Sequence, residues 1–185
     1  MRCMGKVILH SAVTVNAAYE APSPEQWLEL DSDSRDANLG QLTLADAMLL
    51  GRKTYEGLAA TWPNLGGVPG METFAKRINS MPKYVASRTL SAPLEWNATL
   101  LEGDLTESVA KVKENNTLWV SGCGEFAQEL AQCSLIDEYW FGVHPHVWPT
   151  GPRFFDGFGP LRLELMSSTQ YKSGVVVLRY RPANG

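Results

Sequence analysis

The sequence has few cysteines, few histidines and no long apolar run, and each shortage narrows what the chain can be. Three cysteines, Cys3, Cys123 and Cys133, form no closely spaced ligand pair and cannot all pair with one another. That count fits a reducing, cytoplasmic setting rather than a disulfide framework. The three histidines, His10, His144 and His146, make no HExxH motif. The His-Pro-His segment supplies no clear third and fourth ligand, so no metal is expected. No run of about 20 apolar residues is available to span a bilayer. Positive charge is also short, with 16 lysines and arginines against 20 acids and a formal net charge of −4. The cations are interspersed with acids rather than drawn into a stripe, which argues against nucleic acid and anionic membrane as partners.

What is present is a chain of 185 residues with 44% apolar content, enough for one domain, 1–185, with a sizeable core. The opening "MRCMGKVILHSAVTV" runs quickly into a strand and reads as a first structural element rather than a secretory signal. "KVILHSAVTV" at 6–15 is that strand. Ser23, Pro24 and Gln26 form a possible short-helix start, and 33–43 is polar and weakly helical. A buried strand at about 46–50 leads into a helix over 53–60. "WPNLGGVPG" at 62–70 is expected to stop that helix and form a mobile loop. Phe74 and Ile78 share a helical face, "KYVAS" and "NATLL" read as strands, and Asp104 with Glu107 suits a helix cap. "TLWVS", a helix at 125–131, an aromatic strand at 135–144 and a final hairpin turning near Lys172–Gly174 complete the pattern. A mixed sheet covered by helices accounts for both the strand–helix–strand order in the middle and the hairpin at the end.

Three strand-to-helix or strand-to-loop junctions carry cations, hydroxyls or glycines. In "LLGRKTYEGL", Gly51 ends an apolar run and Arg52, Lys53 and Thr54 open a helix. Unpaired N–H groups at such an end attract anions, and the same residues also suit a solvated helix start. In "YVASRTL", Ser87 and Arg88 follow a strand and offer a hydroxyl and a guanidinium to a terminal phosphate. In "WVSGCGEFAQEL", Gly122 and Gly124 bracket Cys123 before a helix, a tight turn with exposed amides suited to a pyrophosphate, with Ser121 beside it. Glu125 is expected to point away. The segment matches G-x-G-x-x-A, but it does not lie in the first strand–helix turn. Asp137 and Glu138 precede the next strand instead of ending it, which excludes a Rossmann site.

In their order and separation, "KVILHSAVTVNAAYE", "MLLGRKTYEGLAATWP", "KYVASRTL", "LWVSGCGEFAQEL" and "LIDEYWFGVHPHVWPTGPRFF" resemble the dihydrofolate-reductase-like superfamily. The resemblance spans nearly the whole chain and is greatest to the C-terminal reductase domain of the bifunctional riboflavin-biosynthesis deaminase/reductase. It implies a single α/β domain with a central mixed, mostly parallel sheet, helices on both faces and a C-terminal antiparallel hairpin. It further implies NADPH as cofactor, hydride delivery to a small heterocyclic or carbonyl-bearing metabolite, and a homodimer. Gly51, Arg52, Lys53 and Thr54 would then lie near cofactor phosphate, and Ser87 and Arg88 at the 2′-phosphate. Ser121, Gly122, Cys123, Gly124 and Glu125 would form the pyrophosphate turn.

The substrate side departs from the family. Where it often has Asp-Gly after the first strand, this chain has Asn16-Ala17; asparagine cannot act as a carboxylate base, and alanine lacks glycine's freedom at positive φ. The loop is therefore expected to follow another path, with Asn16 either contacting ligand or serving structure. Asp33 and Asp36 lie where dihydrofolate-reducing enzymes carry an acid, without a close motif match. Trp27, Tyr55 and Trp62 are candidates to line a planar pocket, Trp119 and Trp140 are expected in the core, and Arg153 is a candidate for substrate phosphate or a surface cation. Cys123 at a helix end is open only to a lowered pKa, with no histidine partner. The readings carried forward are an NADPH-dependent reductase, a ribosylaminopyrimidine reductase of riboflavin biosynthesis, a dihydrofolate reductase, and a noncatalytic nucleotide sensor.

Overall fold

The computed structural model describes residues 5–19 and 32–183, with the side chains of 32–34 left undescribed. The sequence-stretch Ser23–Gln26 and Trp27 lie outside the described residues. The elements in chain order are β1 (Val7–Thr14), α1 (Ser32–Leu42), β2 (Ala47–Gly51), α2 (Arg52–Thr61) and a 3-10 helix (Trp62–Gly67). Then follow α3 (Glu72–Ser80), β3 (Lys83–Ala86), β4 (Ala98–Leu100), α4 (Leu105–Lys113), β5 (Leu118–Ser121) and α5 (Glu125–Gln132). β6 (Glu138–His144), β7 (Leu163–Gln170) and β8 (Val176–Pro182) complete the chain. The eight strands run β4-β3-β2-β5-β1-β6-β8-β7, a mixed, mostly parallel sheet with helices on both faces and an antiparallel β7–β8 hairpin. Two compact units can be distinguished. One holds Gln41–Ser121 with the segment up to Lys6, and the other holds Val7–Gly40 and the chain from Gly122 onward.

In the first unit β2 is the central strand. All five of its residues are buried, as a strand flanked on both sides by parallel neighbours requires. Ala75 and Ile78 form the inner face of α3, while Phe74 turns to stack on Trp62 at 5.5 Å and 23°. The 3-10 helix corrects the expected loop over 62–67, while α2 stops before it as expected and 68–70 is a turn. Pro63 lies in the first turn of the 3-10 helix, and Asn79 Nδ2 donates to the Trp62 carbonyl at 3.1 Å, so a proline suited to a helix start is held in place by its neighbours. Asp104 caps α4 as expected, accepting from the Glu107 N–H at 3.1 Å.

A buried lysine anchors the far end of α3. Lys83 is fully buried, and its Nζ donates to the carbonyls of Ile78 at 2.6 Å and Asn79 at 3.1 Å. The ammonium also lies 4.0 Å from the centre of the Trp96 ring. Trp96 and Asn97 both adopt left-handed backbone, φ 61° and 53°. Trp96 Nε1 donates to Asn79 Oδ1 at 2.7 Å, which holds that unfavourable turn in place.

In the second unit β1 and β6 pair in parallel, with His10 opposite Trp140 and Ala12 opposite Gly142. β6 pairs antiparallel with β8, and β8 with β7 through a bulge at Leu165/Ser167. One sheet face is aromatic. Tyr139 and Phe141 meet Phe154 and Phe155, these two pack on Phe158, and Phe154 lies edge-on to Phe155 at 4.7 Å. The other face is polar. Trp140 donates to Glu138 Oε2 at 2.9 Å, and the Arg179 guanidinium stacks 3.9 Å from the Trp140 ring. Trp119 and Trp140 are both buried, as expected for core residues.

Candidate functional site

In the first unit β2 is parallel to both β3 and β5, so Gly51, Ala86 and Ser121 end their strands on the same side of the sheet. The chain leaves β2 toward β3 on one side and returns to β5 on the other. Such a reversal of winding is where open α/β sheets take up ligands.

Gly51 is buried, extended (φ −78°, ψ 163°), and caps α2 without a side-chain bond to the helix's first N–H groups. The first turn of α2 carries no acid. Its amides therefore keep their positive end for an external acceptor. Arg52 reaches across this corner in two directions. Its Nε pairs with Glu56 Oε1 at 2.9 Å, and its Nη1 donates to Thr89 Oγ1 at 2.8 Å. Lys53 is exposed and Thr54 half-buried.

After β3 the chain makes a hydroxyl-stabilised turn. Ser87 Oγ accepts from the N–H groups of Thr89 at 3.1 Å and Leu90 at 3.0 Å. Arg88 is exposed, with no hydrogen bond or ion pair among the described residues. The structure thus brings Arg52 together with Ser87 through Thr89, and leaves Arg88 outward. Sequence reading missed Thr89, although its hydroxyl stands two residues from Ser87 in the same phrase. Glu56 was also missed, although it stands one helical turn after Arg52.

Tyr55 turns inward and is 7% exposed; its hydroxyl donates to the Glu95 carbonyl at 3.1 Å. It packs against Trp96, and Trp62 against Phe74, so both rings have partners inside the unit. Asp36 lies exposed on α1, and Asp33 lies on the same helix.

Gly122 opens the second unit's corner with φ +83°, which a side-chain-bearing residue rarely adopts. Its N–H donates to the His10 carbonyl at 2.9 Å. A Cβ built on Gly122 or Gly124 would meet nothing within 4 Å, so both glycines border open space. Gly124 caps α5 without a side-chain bond, and Glu125 in the first turn is exposed. Cys123 between them is buried, and burial pushes its thiol up to about 12, with the Ser11 hydroxyl opposing this only in part. This corrects the expectation of a lowered pKa. The side chain turns into the core, where the loss of water outweighs the helix end, so Cys123 is a packed thiol.

The loop after β1 is locked to the loop after β6. Asn16 Nδ2 donates to the Trp148 carbonyl at 2.6 Å, and its Oδ1 accepts from the Trp148 N–H at 3.0 Å and the Thr14 hydroxyl at 2.8 Å. Arg153 Nε donates to the Asn16 carbonyl at 3.0 Å. Ala17 takes φ 64°, so alanine adopts the left-handed turn that a glycine would favour, which corrects the expected change of path. Thr14 enforces it, accepting the N–H groups of Ala17 on its carbonyl and Ala18 on its hydroxyl. No sequence signal pointed to Trp148 as the partner.

Among the described residues no group of three histidines, cysteines, aspartates or glutamates could hold a metal, and no helix is long and apolar enough to cross a membrane.

This sheet order, with helices on both faces and a terminal hairpin, defines a dihydrofolate-reductase-like fold. The sequence profile of the RibD C-terminal domain matches residues 5–177, and the chain belongs to that family. The uncharacterized protein YyaP of Bacillus subtilis (strain 168) is 27% identical over 179 residues, 95% of this chain and 94% of that one. A solved structure from Shewanella sp. PV-4 superposes with a TM-score of 0.73 at 18% identity, covering 97% of this chain and 99% of that one. The diaminohydroxyphosphoribosylaminopyrimidine deaminase/5-amino-6-(5-phosphoribosylamino)uracil reductase of Thermotoga maritima gives a TM-score of 0.65 at 13% identity, over 97% of this chain and 57% of that one. At these identities the structural likeness concerns the fold.

Proposed function

We propose that the chain, 1–185, works as one NADPH-dependent reductase domain that passes a hydride to a small heterocyclic or carbonyl-bearing metabolite. The observation that carries this reading is the corner at β2, β3 and β5. An uncapped helix start, a tethered guanidinium and two hydroxyl-bearing turn residues stand at the reversal of winding. Within the second unit, the open space beside Gly122 and Gly124 suits a pyrophosphate, which needs amides that a Cβ does not shield.

Bound NADPH would supply the hydride, and the chain's residues would bind and orient the partners. Gly51, Arg52, Lys53, Thr54, Ser87 and Arg88 would hold phosphate, and Ser121, Gly122, Cys123, Gly124 and Glu125 would shape the pyrophosphate turn. Cys123 contributes backbone alone, since its thiol is buried. Asn16 and Arg153 would act on the substrate side by fixing the loop around Trp148. No acid is assigned as proton donor.

A second reading, reduction of a ribosylaminopyrimidine, draws on the activity named for the Thermotoga maritima relative and on the exposed Arg153 beside Asn16. We further place the protein in the cytoplasm as a homodimer. The edge strand β7 supports the dimer, being exposed along seven of its eight residues with Leu165 and Met166 outward.

Titration of tryptophan fluorescence with NADPH and NADH tests the cofactor, with tighter NADPH binding expected and part of the preference lost in Arg88→Ala. NADPH oxidation is then followed with pyrimidines, pterins, flavins and carbonyl compounds, with product masses checked. Tight binding without oxidation across the panel would favour a nucleotide sensor, and no dinucleotide binding would end the reading. Light scattering on an eluting peak decides the oligomer.

A further inference from the structure

We propose that Thr89 is the positioning residue for cofactor discrimination, setting the Arg52 guanidinium and the Ser87 turn as a cluster that selects a ribose phosphomonoester over a ribose hydroxyl. This deepens the NADPH reading above and rests on it. The argument begins with the lone pairs. Ser87 Oγ accepts two backbone N–H groups, and Thr89 Oγ1 accepts Arg52 Nη1. The two hydroxyl oxygens are 3.4 Å apart, so at most one hydroxyl proton is spent between them. With Ser87 Oγ accepting twice, Thr89 Oγ1 held by Arg52 and the Glu56 carboxylate kept on the Nε side, the cluster presents mainly hydroxyl and guanidinium protons from Ser87, Thr89 and Arg52 Nη2. A mainly donating cluster favours a group that only accepts, and a phosphomonoester dianion is such a group. A ribose hydroxyl gains less, because it brings a proton of its own.

Arg52 would not hold this place unaided. It is the first residue of α2 and about half exposed, with the rotamer freedom of a long side chain. Glu56 fixes Nε from its own helix, and Thr89 fixes Nη1 from a turn 37 residues away. Without Thr89 the Glu56 contact remains and draws the guanidinium back along α2, away from Ser87. Nη2 has no partner among the described residues and remains to meet the anion. Arg88 then adds charge without fixed geometry.

The test uses the full chain and two small probes, 2′,5′-ADP and 5′-AMP, with NADPH as reference, by calorimetry. Wild type is expected to bind 2′,5′-ADP at least about tenfold tighter than 5′-AMP, as a charge-assisted contact allows. Thr89→Val should cut that ratio roughly fivefold while 5′-AMP binding stays the same, and Thr89→Ser should restore it. Arg52→Lys keeps the charge but cannot engage Glu56 and Thr89 together, so it should lose the ratio as Thr89→Val does, whether or not the valine variant folds. An unchanged ratio in both Thr89→Val and Arg52→Lys, with NADPH still bound, would overturn the role of Thr89 and leave the reductase reading standing. Wild type that binds NADPH without preferring 2′,5′-ADP also overturns it. Wild type that binds neither NADPH nor 2′,5′-ADP overturns both.

Discussion

Asn16 and Trp148 lie 132 residues apart in the chain and exchange two hydrogen bonds, the amide of one against the backbone of the other. An aspartate at this position, the residue common in the family, would lose the donor and set a carboxylate oxygen against the Trp148 carbonyl. Asn16→Asp should therefore lower unfolding free energy by about 2–3 kcal/mol at neutral pH, measured by urea titration. That carboxyl has its pKa raised in the folded state, so stability should recover as pH falls and the protonated acid can donate. Equal stability of the two proteins at pH 7 would remove Asn16 as the clamp.

Ala17 tests the same turn from the backbone side. At φ 64° its Cβ crowds the following carbonyl, a strain that glycine does not have. Ala17→Gly is expected to raise stability by roughly 0.5–1 kcal/mol. A loss of similar size would mean that the turn is not left-handed at this residue.

Gly122 and Gly103 form a matched pair. Both have φ near +80° and open space where a Cβ would go. Alanine at either should cost about 1–2 kcal/mol through backbone strain alone. Only Gly122→Ala should also weaken NADPH binding, by about tenfold, because only that Cβ would shield pyrophosphate-binding amides. Parallel melts and titrations separate the two effects, and equal NADPH affinity in both variants would take Gly122 out of the proposed site.

Lys83 gives stability a pH dependence of definite sign. Burial lowers its pKa from 10.5 to about 8. Between those values the unfolded chain keeps a proton that the folded chain has released, so this lysine makes stability rise with pH in that window. The full effect is at most on the order of 3 kcal/mol. Lys83→Met should flatten the rise in unfolding free energy from pH 8 to 10.5. A wild-type profile as flat as the variant's would show the ammonium to be better solvated than its packing indicates.

Cys123 should behave as a core residue. In a Cys3→Ser, Cys133→Ser background its thiol should react with a disulfide reagent only as fast as the protein unfolds, since burial both blocks access and keeps it protonated. Rapid labelling of the folded protein would show the turn to be open beneath Gly122.

Much of the fold is legible along the chain because its signals are local. The apolar run before Gly51 is a central strand, Asp104 is a cap, and Gly174 closes the last hairpin with φ +89°. Each depends on a few adjacent residues and a backbone preference that acts wherever they occur. The 3-10 helix at Trp62 was not legible, since the Phe74 ring and Asn79 that help a proline-rich stretch hold one conformation come from the next helix.

The sequence by itself determined the strand-to-helix corners, their cations and glycines, and the family to which the chain belongs. Tertiary structure alone decided what those side chains face: Arg52 toward Thr89, Asn16 onto Trp148, and Cys123 into the core beside Ser11. The reason is distance along the chain. A turn or cap is settled by neighbours a few residues away, whereas hydrogen-bond partners, and the water a thiol loses on burial, depend on segments brought together only when the sheet assembles.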